Sequence, residues 1–574
     1  MKRHRLSLAI AAFCGVTLMN LAARAAEDVL GVVPDDALAV AVLNRIGETQ
    51  QKIETLGKQL QVPAAELLRA SQMTTQAQPN IDPQGALAIA VVPDPDGQRP
   101  TIVWFVPIKD YQAFLEQFQP EDATAKIAKI TLGTNQLAVA KKGGYAVLTA
   151  ASDRKTLEKV LAQTRHVAAA TAVLTGWRAE NDLYAVAMPS GIQFAQQQLL
   201  IGLAIGKAQL AQQGEQGKVA VAGLEMYETL FKSLDKEITH CALGVRMRQD
   251  GGVQVVSRTL LAEGGVTLQA AKETKPIQGD LLASLPQSPF VFAGGGILPE
   301  AWLERLMGVS VKMMRMYPGG AELTDEQTRK LAEVSTKSLK GLRSISMMMG
   351  VGKADLPLYG DTVFVMHVDN AQEYLDKYAR TIDELNKIGK AANSPLFNYR
   401  VEKTEIDGKA GLKVTMNMDA FMGKDQPPEA KKALKLMLGS QDKLVVHIAA
   451  ANSQMVVGAY ISQERLVEAI HSANRADGQL SGDARVKKTV AMLSAGSQWV
   501  ALASPRGTLQ FVGRMVTQLT PNLPTAIPEF PDTSPVGFAM QLTPAGLETD
   551  LAVPADVLRA AAELVQKARA AGSQ

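Results

Sequence analysis

The side chains able to do chemistry in this 574-residue sequence are few and scattered. Its histidines are His4, His166, His240, His367, His447 and His471, and none has a second His, Cys or carboxylate at a zinc-binding spacing. His367 and His447 stand in apolar runs of strand type and read as ordinary core or surface residues. Cys241 follows His240, but neighbours on a strand point to opposite faces, so the two do not read as a nucleophile and its base. Ser152-Asp153-Arg154-Lys155 and Ser233-Leu234-Asp235-Lys236 have the Ser-x-x-Lys spacing of penicillin-recognising enzymes, without the companion Lys-Thr-Gly. Ser152 is better placed to cap a helix. Asp94-Pro95-Asp96-Gly97 resembles the start of a calcium loop but lacks the later oxygen ligands and the closing Glu, and a hairpin turn explains it.

Three other groupings have non-chemical readings too. Asp35-Asp36 reads as a polar turn before a strand. Gly294-Gly295-Gly296 follows an apolar run and precedes a helical pattern, but a phosphate loop would end in Gly-Lys-Ser/Thr, and Ile297-Leu298-Pro299 comes next. The clusters Met313, Met314, Met316; Met347, Met348, Met349; and Met416, Met418, Met422 could in principle offer thioethers to Cu(I). On a strand, consecutive methionines alternate faces, which suits core filling. No catalytic, cofactor-binding or metal-ligating residue is therefore assigned, and no cofactor is expected.

The elements around these residues begin with an address. Lys2, Arg3 and Arg5 precede the apolar run Leu6 to Leu21, and Ala23-Arg24-Ala25 fits a signal-peptidase site. Residues 1–25 are expected to be a cleaved signal peptide, with export to the periplasm or the extracellular space. The apolar run is short for a membrane span, which needs about 20 residues, and the mature chain is expected to contain none. Removing Lys2, Arg3, Arg5 and Arg24 takes the formal charge from +3 to about −1. No basic field remains to attract nucleic acid. Cys14 leaves with the signal, so Cys241 has no internal disulfide partner.

The remaining chain repeats a strand-to-helix corner. Pro34 in VVPDDALAVAVL matches Pro286 in SLPQSPFVFAGGG at an offset of 252, and Pro189 matches Pro505 at 316, both continuing as Pro-x-Gly. IKDYQAFLEQF lines up with VDNAQEYLDKY at 260, and SDRKTLEKV with SQERLVEAI at 310. The blocks keep their order, which reads as an internal duplication. The expected organisation is a first α+β half over 26–263, a joint over 264–279, and a second α+β half over 280–574 with an insertion within 379–461. Recurrent hairpins imply antiparallel pairing. The fold class is therefore α+β: two pseudo-repeated halves of mainly antiparallel sheet, with helices packed on one face. Thr324-Asp325-Glu326-Gln327 predicts a capped helix start, and TPNLPTAIPEFPDTSP, from Thr520, an extended loop.

The blocks NIDPQGALAIAVV, FVPIKDYQAFL and LAVAKKGGYAVLTAASDRKTLEKVLA resemble those of a large family of uncharacterised secreted bacterial proteins, over about residues 32–162. The resemblance implies export and an α+β fold, and brings no activity or site residue. The expected function is that of a non-catalytic envelope protein, a binding or scaffold module for a protein, peptide or lipid. The alternative is an extracytoplasmic hydrolase whose site is assembled from scattered residues. The helical stripes after Pro189 and Pro505 are the candidate surface. Leu199, Leu203, Leu509, Val512 and Val516 are expected to line an apolar groove, with ordinary core as the competing reading.

Overall fold

The computed structural model describes residues 28–60, 78–212, 237–265, 280–297, 323–352, 356–417, 428–439, 443–519 and 528–572, apart from 97–98, 395–396 and 476–477. Isolated positions at 221, 224–225, 228, 267–269 and 311 are also described. The expected signal peptide, Ser233 to Lys236, Met313, Met314, Met316, Met418, Met422 and the start of the proline-rich loop lie outside the described residues. The chain forms two compact units, residues 1–206 with 230–262, and residues 207–229 with 263–574.

The first unit contains β1 (Ala39–Leu43), α1 (Ile46–Leu60), β2 (Leu87–Val92), β3 (Thr101–Pro107), α2 (Tyr111–Glu116), β4 (Ala128–Leu132), β5 (Asn135–Lys142) and β6 (Tyr145–Ala150). It continues with α3 (Arg154–Ala162), α4 (Val167–Ala170), α5 (Thr175–Glu180), β7 (Leu183–Ala187), α6 (Pro189–Ala211, of which the part after Gly206 belongs to the second unit), β8 (Ile238–Met247) and β9 (Val253–Leu261). Its strands pair, all antiparallel, in the order β4-β5-β6-β3-β2-β1-β7-β8-β9.

The second unit contains β10 (Phe290–Gly296), α7 (Asp325–Leu339), β11 (Leu342–Gly350), β12 (Thr362–Val368), α8 (Ala371–Ala391), β13 (Tyr399–Ile406), β14 (Lys409–Asn417), α9 (Pro428–Leu438) and β15 (Lys443–Asn452). After these come β16 (Met455–Tyr460), α10 (Gln463–Asn474), α11 (Ala484–Val490), β17 (Trp499–Ala503), α12 (Pro505–Leu519), β18 (Val536–Thr543), β19 (Gly546–Val553) and α13 (Ala555–Gly572). Its order is β13-β14-β15-β16-β12-β11-β10-β17-β18-β19, again antiparallel throughout. Apart from the added edge strand β13, this is the threading of the first unit. Local details match as well. Pro34 bridges to His166 and Pro286 to Gln479. The Asp28 side chain accepts from Leu30 N at 3.1 Å, and that of Asp280 from Leu282 N at 2.8 Å.

The fold is α+β, and the sequence explains its helix starts. Asp110 caps α2 by accepting from Ala113 N, and Asn370 caps α8 by accepting from Glu373 N. Thr324 and Gln327 make the reciprocal capping pair of α7. Ser462 caps α10. Ser152 does not cap α3, because a 3-10 turn over Ala151–Asp153 intervenes and the Ser152 hydroxyl donates to the Asp153 carboxylate.

Over the strands β3 and β6 of the first unit and β12 and β16 of the second, helices cover both faces rather than the single face expected. In the first unit Val103, Phe105 and Val147 pack with Leu157 and Val160 of α3, while Val106, Ala146 and Leu148 pack with Phe114 and Leu115 of α2. In the second, Val363, Val365 and Val457 pack with Leu466 and Ile470 of α10, while Met366, Val368 and Val456 pack with Tyr374 and Leu375 of α8. Strands that are apolar on both faces must be covered on both.

Candidate functional site

The corner between β1 and α1 is where an α/β enzyme would place reactive groups. Here those groups are committed to the fold. The Asn44 amide donates to the carbonyls of Arg178 and Asn181, and its own carbonyl accepts from Thr49 Oγ1. Arg45 adopts φ 46°, a left-handed conformation, and donates to Ala179 O at 2.6 Å. Asp182, almost wholly buried, accepts from Met247 N at 2.7 Å and pairs with Lys52 at 2.6 Å and Arg45 at 3.5 Å. At the matching place Gln498, a neutral residue, accepts from Leu542 N at 2.7 Å. The corner is a cross-braced joint.

Among the described residues, the titratable groups singled out in the sequence do not converge. Asp35 accepts from Gln163 Nε2 at 2.6 Å and pairs with Arg165 at 3.2 Å, while Asp36 pairs with Lys159 at 2.6 Å. Each carboxylate has its own cation. Burial lowers the pKa of the Lys142 ammonium, which donates to the carbonyls of Val160 and Gln163. Burial, then the Lys142 charge, lowers that of His166. Burial raises the Cys241 thiol pKa, which is the wrong direction for a nucleophile. His367 Nε2 lies 3.1 Å from Ser284 Oγ, with no carboxylate described behind it, and His471 makes a surface pair with Asp407 at 2.9 Å. Among the described residues no three His, Cys, Asp or Glu side chains gather as a metal set.

Gly294, Gly295 and Gly296 are inside β10 and not at a turn, which corrects the corner expected there. A Cβ on Gly294 would lie 2.6 Å from the Val500 carbonyl oxygen, one on Gly295 2.5 Å from Ser346 Oγ, and one on Gly296 2.2 Å from the Trp499 ring. The glycines let neighbouring strands and side chains close over β10. The pairing registers also place Gly294 in a cross-sheet row with Phe364, Met347, Ala501, Phe538 and Leu551. Met347, Phe538 and Leu551 are exposed.

The candidate groove residues fall on two helices in different units, Leu199 and Leu203 on α6 and Leu509, Val512 and Val516 on α12. In α6, Leu199 is 38% exposed, Leu203 is half-buried, and Ile201 and Ile205 are 54% and 51% exposed. No residue of this 23-residue helix is buried. Its only charged residue is Lys207, which pairs with Glu228. In α12, Leu509, Val512 and Val516 are half-buried, and Leu509 packs beside Phe530, Val557 and Ala560. Both helices begin with the same contact. A Cβ at Gly191 would lie 1.8 Å from the Leu38 carbonyl oxygen, and one at Gly507 1.9 Å from that of Phe290. The Pro-x-Gly corner is therefore a close helix-to-strand crossing.

Sequence reasoning did not assemble the cleft that runs along α12. One lobe, of about 590 Å³, is lined by Gln287, Ser288, Phe290, Arg485, Arg506 and Asp532 among others. A second, of about 490 Å³, is lined by Leu509, Gly513, Arg514, Gln518, Glu529 and Phe530 among others. Gln510 lines both lobes. The walls come from segments more than two hundred residues apart, and the only local signal was a cation in the first turn of an apolar-striped helix. Among the described residues no helix is long and apolar enough to cross a membrane. Comparisons with protein-family models, curated proteins and solved structures gave no match, so the function is read from this geometry alone.

Proposed function

We propose that the chain is a non-catalytic exported protein that serves as a binding or scaffold module in the envelope. The observation that carries this reading is α6, a long apolar helix none of whose residues is buried. An apolar surface of that kind is costly to leave in water and is the usual mark of an interaction site. At 100° per residue, Phe194, Leu199, Leu200, Ile201 and Ile205 spread around the helix instead of forming one stripe. A helix lying in a lipid interface needs one strongly apolar side and a charged opposite side. The distribution favours a protein or peptide partner that wraps the helix. The shared strand order supports a duplicated unit, with the second copy enlarged by β13 and α9.

A photo-crosslinking residue at position 201, in the protein expressed with its own leader, tests the reading. A discrete adduct is expected in the envelope fraction from position 201 and not from position 402, on β13. Equal labelling from both positions, no adduct, or retention in the cytoplasm would overturn it. N-terminal sequencing of the exported chain should begin at Ala26.

A further inference from the structure

We infer that the cleft along α12 is a binding site for the free C-terminus of an extended peptide, with Arg506 taking its carboxylate. This concerns the second unit only and does not depend on the reading of α6.

The two arginines that face the larger lobe are held differently. Arg485 is committed, since it pairs closely with Asp532 and lies 3.6 Å from Asp483. Arg506 is not. Its nearest carboxylates are Asp532 at 3.8 Å and Glu529 at 4.0 Å, beyond hydrogen-bonding distance, and its Nε is buried without a hydrogen-bond partner. Nε is shut off from the lobe, so the Nη groups of the guanidinium are what an incoming carboxylate would meet, in place of the distant Asp532 and Glu529. Arg514, two turns further on, is already spent on the carbonyls of Val351 and Leu356 at 3.0 and 3.2 Å. The recognition end is therefore the Arg506 end.

The rest of the cleft indicates what the carboxylate is attached to. Gln510 and Gln518 line it, and neither side chain makes a hydrogen bond among the described residues. Eight helical residues separate them, about 12 Å along α12, which an extended peptide covers in about four residues. Free amides at that spacing suit peptide N–H and C=O groups. An alkyl chain would leave them buried and unpaired, at a cost for each. Apolar side chains share both lobes with the polar ones: Phe290, Val351, Leu480 and Val486 in one, Leu509 and Phe530 in the other. These apolar groups would take side chains of a peptide whose main chain bonds the two amides.

The first unit shows what the site needs. Gly191 and Gly507 make the same strand contact, and the residue before each is Ser190 in the first unit and Arg506 in the second. The position of Gln510 is held by Phe194. The first copy has neither the cation nor the amide.

The test is fluorescence polarisation of the full processed chain with a labelled random octapeptide pool bearing free C-termini, and with the same pool amidated. The free-acid pool is expected to bind saturably, and the amidated pool at least about tenfold more weakly, as loss of a charge-assisted hydrogen bond implies. Arg506→Gln should lose the preference for the free acid while keeping its thermal midpoint. Arg343→Gln, an exposed arginine on β11, should keep both. Equal binding of the two pools, or an unchanged Arg506→Gln, overturns the proposal. So does tight binding of dodecanoate with no peptide binding, which would assign the cleft to a lipid.

Discussion

Arg465 on α10 and Asp361, immediately before β12, form a buried ion pair, with Nε 2.5 Å from Oδ1 and side chains only 6% and 8% exposed. The second Asp361 oxygen accepts from Gly352 N at 3.0 Å, and Arg465 also reaches Glu468 and the Ser288 hydroxyl. The pair ties a helix, a strand start and one wall of the cleft together. Removing one partner leaves the other charged and buried, so Asp361→Asn should cost about 3–5 kcal/mol in chemical denaturation. The double variant Arg465→Met/Asp361→Leu should recover most of that. A double variant no better than the single one would show that the pair is worth more than its desolvation.

Gly507→Ala should destabilise the protein by about 1–3 kcal/mol, because its Cβ would meet backbone atoms that cannot rotate away. Gly191→Ala should do the same in the first unit. Gly202→Ala, in the middle of α6, has nothing within 4 Å of the added carbon. It should gain about 0.5–1 kcal/mol from reduced chain entropy. Denaturant midpoints of the three variants check the contrast, and equal signs would refute it.

Leu203→Gln should leave the thermal midpoint nearly unchanged, within the effect of about 0.5 kcal/mol typical of surface substitutions. It should also weaken the crosslink from position 201. A loss of several kcal/mol would mean that Leu203 is core.

Stability should fall as the solution is acidified from about pH 7 to pH 5. Burial holds the imidazoles of His240, His367 and His447 below their ordinary range, with the Lys413 charge adding to the effect at His447. Such a group binds its proton more readily unfolded than folded. Its contribution is whole above the unfolded value near 6.5 and is lost as pH drops through that value toward the folded one. His367→Gln should flatten the curve measured by thermal melting. A midpoint that rises on acidification would reverse the assignment.

Much of the fold was legible because its signals are local. Asp110, Asn370, Ser462 and the Thr324/Gln327 pair sit beside the amides they cap. The blocks at offsets of 260 and 310 pair alike in the two units, Trp104 with Leu148 and Phe364 with Gly458, whereas the proline and Pro-x-Gly offsets miss the registers by one residue. Ser152 misled because capping depends on where the helix starts, and one 3-10 turn moved that start. The glycines of β10 misled because glycine marks a turn and a close strand contact equally well, and only Val500, Ser346 and Trp499 decide between them. The cleft was illegible for a different reason. Gln287, Arg485, Arg506 and Asp532 meet through tertiary structure alone, and no spacing encodes an arginine left unspent by its neighbours.

The common threading of the two units also bears on how the chain reaches its native state. During synthesis β1 and β7 are complete long before β10 and β17 emerge, yet each pair closes on the same kind of Pro-x-Gly crossing. A late strand can therefore compete for an early strand's slot, the characteristic misassembly hazard of tandem units. The added β13 and the α9 segment make the outer strands of the second unit a poor fit to the first, so exchange there is blocked. The vulnerable region is the inner set, β1-β7-β8-β9 against β10-β17-β18-β19, where the strand order is the same although the β7–β8 link, 188–237, is longer than the β17–β18 link, 504–535. An order of emergence that lets the first unit close before β10 appears would protect it, and refolding of the complete chain from denaturant has no such protection.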